Sequence, residues 1–410
     1  MQMIRQLNYD LNERPFMVIW ETTQACDLAC RHCRAQAQPD HDPHALDTSE
    51  GRALLDQIVD FGTPHPLVIL TGGDPFKRAD IFELARYGTD KGLPVALSPS
   101  GTPLLNPGNL SRVKEAGCKV ISLSLDGTSP EIHDTFRGVP GSFEWTVNGW
   151  KTAQTVGLKL QINTTVTRHN LFDLPKVFAL VRDLGAMTWS VFFLVPTGRG
   201  QTEDEISPQD YEAVLNFLYD ASKYISLKTT EGHHYKRVVL QRSYLEAHGL
   251  PVKEYIPLNS TYTQLMDGLR AETAGMQVAR PSGHPQGAQS EEQHPGGRIR
   301  RTPLHVNAGD GFVFISLLGE VFPSGYLPVS GGNVRQTHLK QIYQDSPLFR
   351  SLRNHAELKG RCGACEFNSV CGGSRSRAYA MTGDILAEEP FCAYQPGSFP
   401  FSREIAELKG

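Results

Sequence analysis

Seven of the chain's eight cysteines fall into two tight groups, Cys26/Cys30/Cys33 and Cys362/Cys365/Cys371/Cys392, and Cys118 stands alone. Thiols bunched in this way point to metal ligation rather than disulfide pairing in a reducing compartment. The first group has the spacing C-x3-C-x2-C. Because a cubane iron–sulfur cluster takes one Cys per iron, three thiolates hold it and leave one iron open to a small ligand. A structural zinc completed by His32 or by a distant residue is the other chemistry these residues allow. The second group, C-x2-C-x5-C with Cys392 further on, supplies four thiolates, enough for a whole cubane or for zinc. Cys118 leads from Ala116-Gly117 into a predicted strand, where a small buried side chain is the expected role.

These groups need a scaffold, and the sequence describes one. From about Pro15 to Tyr224, β-like runs alternate with amphipathic helical patterns, the signature of a parallel sheet covered by helices. Strands are predicted at Phe16–Glu21, Leu67–Thr71, Pro94–Ser98, Val120–Leu125, Leu158–Thr165 and Thr188–Val195. Asp47 and Glu50 have capping-box spacing ahead of the apolar face Leu54, Leu55, Ile58 and Val59, and Gly62 can end that helix. Further helices are predicted at Ala79–Lys91, Asn109–Ala116, Ser142–Val156, Asp173–Leu184 and Ser207–Lys223. Six such repeats suit an open, partial (β/α)6 barrel rather than a closed eight-stranded one. The first cysteine group then sits in the loop at the carboxyl end of the first strand, where parallel β/α folds build active sites. The expected organisation is a barrel over residues 1–225 and a bridging segment over 226–305, with a mobile loop at 272–301 rich in Gly, Pro, Gln and Ser. A small α+β domain over 306–410 opens with a hairpin, Gly311–Leu318 and Glu320–Pro323 about Gly319.

More residues capable of chemistry recur at predicted strand ends. Thr71-Gly72-Gly73-Asp74-Pro75 follows the second strand, and Ser124-Leu125-Asp126-Gly127, with His133 and Arg137 beyond it, follows the fourth. With the C-x3-C-x2-C loop, this order resembles the radical S-adenosylmethionine (SAM) superfamily over about Arg14 to Gly200. The resemblance implies a [4Fe–4S] cluster on Cys26, Cys30 and Cys33 whose open iron takes SAM. It implies reductive cleavage of SAM to a 5′-deoxyadenosyl radical that abstracts hydrogen from substrate. SAM contacts are then expected from His32, Gly72, Gly73, Asp74, Ser100, Ser124, Arg137 and Asn163, with Asp74 pairing the ammonium.

The C-terminal cysteines resemble the SPASM or twitch extension of that superfamily, which implies a second [4Fe–4S] cluster on Cys362, Cys365, Cys371 and Cys392. Full SPASM domains often carry two auxiliary clusters, but Ser324 and Ser374 stand where further cysteines are expected, so one is expected here. The stretches Arg31–Arg34, Val321–Pro328 and Cys371–Ala380 look most like the heme-biosynthesis branch, with Fe-coproporphyrin decarboxylase and heme d1 proteins. The expected substrate is therefore a tetrapyrrole or other small-molecule carboxylate, and Arg375 and Arg377 are candidates to clamp it. A peptide-modifying maturase is the alternative, weakened because 25 residues precede Cys26, fewer than a separate leader-binding domain needs. A non-catalytic iron–sulfur electron carrier is a third reading, disfavoured by the full set of SAM-like motifs. A flavodoxin or ferredoxin is the expected reductant. The net charge of −4 and the lack of a basic run argue against nucleic acid. Neither a signal peptide at Met1–Asn12 nor a membrane-spanning apolar run is present, so a cytoplasmic location is expected.

Overall fold

The computed structural model describes residue 7, residues 9–276 and residues 304–407. Its core is one large sheet. Parallel strands β1 (Met17–Glu21), β2 (Leu67–Thr71), β3 (Val95–Leu97), β4 (Val120–Ser124), β5 (Lys159–Val166), β6 (Thr188–Phe193) and β7 (Leu227–Thr230) run in sequence order. Each of the first six matches a predicted strand to within two residues at either end; β7 was not foreseen and adds a seventh neighbour beyond β6.

Local chemistry explains the elements. Asp47 caps helix Thr48–Val59 reciprocally with Glu50, its side chain accepting from the Glu50 amide at 2.8 Å while Glu50 accepts from the Asp47 amide at 2.9 Å. Leu54, Leu55 and Ile58 of that helix are buried against the sheet. Helix Ser142–Val156 ends on Gly157, which is left-handed with φ 89° and closes the helix without steric cost. The strands alternate with period two. In β4 and β5, Ile121, Leu123, Leu160 and Ile162 join the core under the helices, while Ser122, Ser124, Gln161, Asn163 and Thr165 face inward and line a cavity. The barrel interior is therefore polar on this side.

The C-terminal hairpin does not form a sheet of its own. Its strands β9 (Gly311–Ile315) and β10 (Glu320–Phe322) pair antiparallel, and Gly319 turns between them at φ 84°. β9 also pairs in parallel with β1, Met17 opposite Phe312 and Trp20 opposite Ile315. The short strands β8 (Asn307–Ala308) and β11 (Gly332–Asn333) add to β9 and β10. The edge of the barrel next to the first cysteine loop is thus closed by residues three hundred positions away. Helix Ser260–Glu272 runs into the segment expected to be a loop at 272–301, and beyond Met276 that segment lies outside the described residues. No helix among the described residues is long and apolar enough to cross a membrane.

Candidate active site

The loop after β1 carries Cys26, Cys30 and Cys33, all on the wall of a cavity of about 940 Å³. Two neighbouring loops fix its course. Gly73 and Asp74 donate their amides to Thr23 and Ala25 carbonyls at 2.8 and 2.7 Å. A Cβ on Gly73 would stand 2.5 Å from the Ala25 oxygen, and one on Gly72 2.4 Å from the Thr23 oxygen, so only glycine lets the two loops meet. On the other side, Ala29 and Arg31 donate their amides to the carbonyls of Arg137 and Phe136 at 3.1 and 3.0 Å. Ser100 joins the first contact, its hydroxyl bonded to the Gly73 carbonyl at 2.6 Å and 3.5 Å from Cys26 Sγ. Burial raises the pKa of the Cys26 and Cys30 thiols.

Of the residues expected to contact SAM, His32, Gly72, Gly73, Ser100, Ser124, Arg137 and Asn163 all reach this cavity. His32 stacks on Phe136, ring centroids 4.1 Å apart, and burial beside Arg137 keeps it neutral. Arg137 is not a free fork: one terminal nitrogen is ion-paired with buried Asp126 and the other lies 3.7 Å from Cys30 Sγ. Burial works against its charge, but Asp126 and Cys30 outweigh that and hold its pKa above the ordinary value. Asp74 departs from expectation. It is fully buried off the cavity wall, accepting from the Phe76 amide at 3.1 Å and the Thr102 hydroxyl at 2.8 Å. Its carboxylate caps the short turn Pro75–Lys77.

The cavity continues to a wall that sequence reasoning missed: Arg34, His233, Lys236, Phe314 and Tyr326. Arg34 pairs with Glu21 at 2.8 Å and lies 4.3 Å from the centre of the Phe314 ring. Lys236 donates to the Val306 carbonyl at 2.6 Å, one of its three donors, and burial lowers its pKa to about 8. Burial and the cations nearby keep His233 neutral.

Cys362, Cys365, Cys371 and Cys392 line a second, small pocket. Arg375 and Arg377, expected as a substrate clamp, belong to the scaffold of this second site instead. Arg375 is 1 % exposed, donates to the Ile385 and Ala387 carbonyls at 3.1 and 2.6 Å and lies 3.8 Å from Cys362 Sγ. Arg377 is fully buried and spends its donors on Leu194 O (2.7 Å), Glu231 O (3.1 Å) and Glu389 (3.1 Å). Neither guanidinium reaches the cavity. The two serines expected in place of cysteines are brought together: Ser324, Ser374 and Ser376 all donate to the carboxylate of Glu231.

Comparison with known proteins agrees with this geometry. The profile of the Radical SAM superfamily matches residues 20–181. An AdoMet-dependent heme synthase of Methanosarcina barkeri is 40 % identical, over 94 % of this chain and 99 % of that protein. A pre-heme d1 synthase of Dinoroseobacter shibae is 30 % identical over 92 % and 85 %. Among solved structures, Streptococcus suis SuiB bound to S-adenosylmethionine superposes with a TM-score of 0.63 at 15 % identity, covering 93 % of this chain and 78 % of that one, a likeness of fold.

Proposed function

We propose, from the premise that the chain belongs to the radical SAM superfamily and matches AdoMet-dependent heme synthases along nearly its whole length, that it decarboxylates propionate side chains of an iron tetrapyrrole. The observation that carries this reading is the cavity. At about 940 Å³ it lies near the top of the about 300–1,000 Å³ usual for small-ligand sites, and it joins the Cys26 loop to a wall with two cations and aromatic rings.

Cys26, Cys30 and Cys33 would hold the cluster that binds SAM, and the four C-terminal cysteines a second one. Bound there, these groups supply an electron to cleave SAM, a 5′-deoxyadenosyl radical to take a substrate hydrogen, and an acceptor for the electron left when carbon dioxide departs. The chain supplies position. Gly72 and Gly73 keep the cysteine loop against the sheet, and Ser100, Ser124 and Asn163 offer hydrogen bonds to the polar end of SAM. Arg137 steadies the anionic ligand set through Cys30 and is itself steadied by Asp126. Lys236 and Arg34 are the cations that meet substrate carboxylates, and Phe312 and Phe314 give a macrocycle an apolar wall. A flavodoxin or ferredoxin is the reductant this chemistry requires.

The test is anaerobic incubation of the reconstituted protein with SAM, a reductant and iron-coproporphyrin. Conversion of propionates to vinyl groups, with 5′-deoxyadenosine and carbon dioxide in step, is the expected result. SAM cleavage that the tetrapyrrole neither accelerates nor couples to carbon dioxide release would remove this reading and return the peptide alternative.

A further inference from the structure

Apart from the cysteines of either group, His305, Asp310 and His355 bring one ligand atom each to within 4.8 Å of one another, and they are the only three His, Cys, Asp or Glu residues among those described that do so. We propose that they form a third metal site, taking one divalent cation of the zinc class through two imidazoles and a carboxylate.

The geometry favours coordination over a simple polar cluster. His355 Nε2 stands 3.4 Å from Asp310 Oδ2. That is long for a charge-assisted hydrogen bond of about 2.7–2.9 Å. It equals the about 3.4 Å that separates two ligands set 2.0–2.1 Å from a shared ion at the tetrahedral angle. His305 supplies the second observation. Its Nε2 is buried and has no hydrogen-bond partner. A buried polar atom left without a partner carries a desolvation cost that a bound ion would remove. Asp310 is 6 % exposed, so its charge is not spent on solvent. Lys236 is the opposing cation nearby, and its ammonium is tied to the Val306 carbonyl. Two nitrogens and one carboxylate oxygen leave a position open and match zinc or ferrous iron better than magnesium or calcium.

The placement gives the site work to do. His305 and Asp310 flank β8, and His355 begins the turn His355–Glu357. Asn307, between the two barrel-side ligands, donates to the carbonyls of Cys371 and Gly373 at 3.2 and 2.9 Å. An ion here joins the β8 edge of the barrel to the turn His355–Glu357, which precedes the second cysteine group in the chain.

The experiment uses the holoprotein with both cysteine groups loaded with iron and sulfide, dialysed against buffered Zn²⁺. One retained zinc per chain is expected, with a zinc-edge absorption spectrum showing nitrogen and oxygen at about 2.0–2.1 Å and no sulfur shell. His305→Gln and His355→Gln, which keep size and polarity, should weaken zinc retention at least tenfold while iron content stays unchanged. Zinc should raise the melting temperature of the wild type and of neither variant. A sulfur shell, failure to retain zinc, or equal retention by both variants would overturn the site.

Discussion

Arg377→Met tests the assignment of this arginine to the scaffold rather than to substrate. Methionine fills much of the space but removes the donors that hold Leu194 O, Glu231 O and Glu389. Breaking a fully buried ion pair on one side costs about 3–5 kcal/mol, because the partner charge stays in low dielectric. Here two carboxylates are stranded, Glu389 and Glu205, at 3.1 and 3.4 Å from the guanidinium. The cost depends on pH in a definite sense. Burial already raises Glu205 to about 6 in spite of Arg377. A carboxyl whose folded pKa exceeds its unfolded value contributes stability that is complete below the unfolded value and lost as pH climbs through the folded one. In the wild type that loss falls between about 4.5 and 6. Without the cation the window extends upward, so the deficit of Arg377→Met should be larger at about pH 8 than at about pH 6. Anaerobic urea unfolding at the two pH values, with iron content measured alongside, reads this. Arg377→Lys should fall between wild type and Met, since an ammonium keeps charge but cannot span Leu194 and Glu389 together. A variant that unfolds at the wild-type midpoint and only binds substrate more weakly would refute the buried role.

Three further outcomes follow from the same geometry. Gly73→Ala should force the Cys26 loop from the sheet, since its Cβ meets the Ala25 and Gln24 carbonyls at 2.5 and 2.6 Å; iron should fall by about half with the second cysteine group still loaded, read by iron analysis. Cys26→Ala/Cys30→Ala/Cys33→Ala should abolish reductive production of 5′-deoxyadenosine, measured by chromatography, and equal cleavage by wild type and variant would contradict the site. In the wild type, KM for a propionate-bearing substrate should rise as pH passes about 8, because Lys236 loses its charge there, and Lys236→Met should show a raised KM without that pH step.

The strand ends were legible because period-two and helical patterns alternate cleanly through residue 224, and the chemistry-bearing motifs sit where those patterns break. Asp74 misled because Thr-Gly-Gly-Asp presents an acid after two flexible residues. The following Pro75 was the available signal, since Asp before Pro at the start of a turn is a cap, and the structure uses it so. Helix Pro130–Arg137 was missed although Ser129-Pro130-Glu131 carries an N-cap residue and an N1 proline. Arg375 and Arg377 could not have been placed from sequence. Arg377 is buried against Leu194 and Glu231, which follow β6 and β7, and against Glu205 after the turn Thr202–Asp204. Arg34 and Phe314 likewise meet only because β9 pairs with β1. Long-range pairing of that kind leaves no mark in local pattern.

Glu231 draws the two halves of the molecule together. It is one of two non-glycine residues described with positive φ, at 57°, a conformation that costs energy unless its surroundings impose it. They do: three serine hydroxyls hold its carboxylate and Arg377 holds its carbonyl. Cysteines at 324 and 374 would leave that carboxylate buried with a single hydroxyl donor, so the serines and Glu231 make sense as one unit. Glu231 faces the cavity, Ser374 bonds it from behind, and Glu389 bonds the Ser374 amide at 2.8 Å while its own amide reaches Cys362 Sγ at 3.2 Å. Ser374 and Glu389 therefore link the cavity wall at Glu231 to the thiol of Cys362. On the proposed function, a cluster held by Cys362, Cys365, Cys371 and Cys392 would lie behind this wall and would take up the one electron that decarboxylation releases for each hydrogen abstracted.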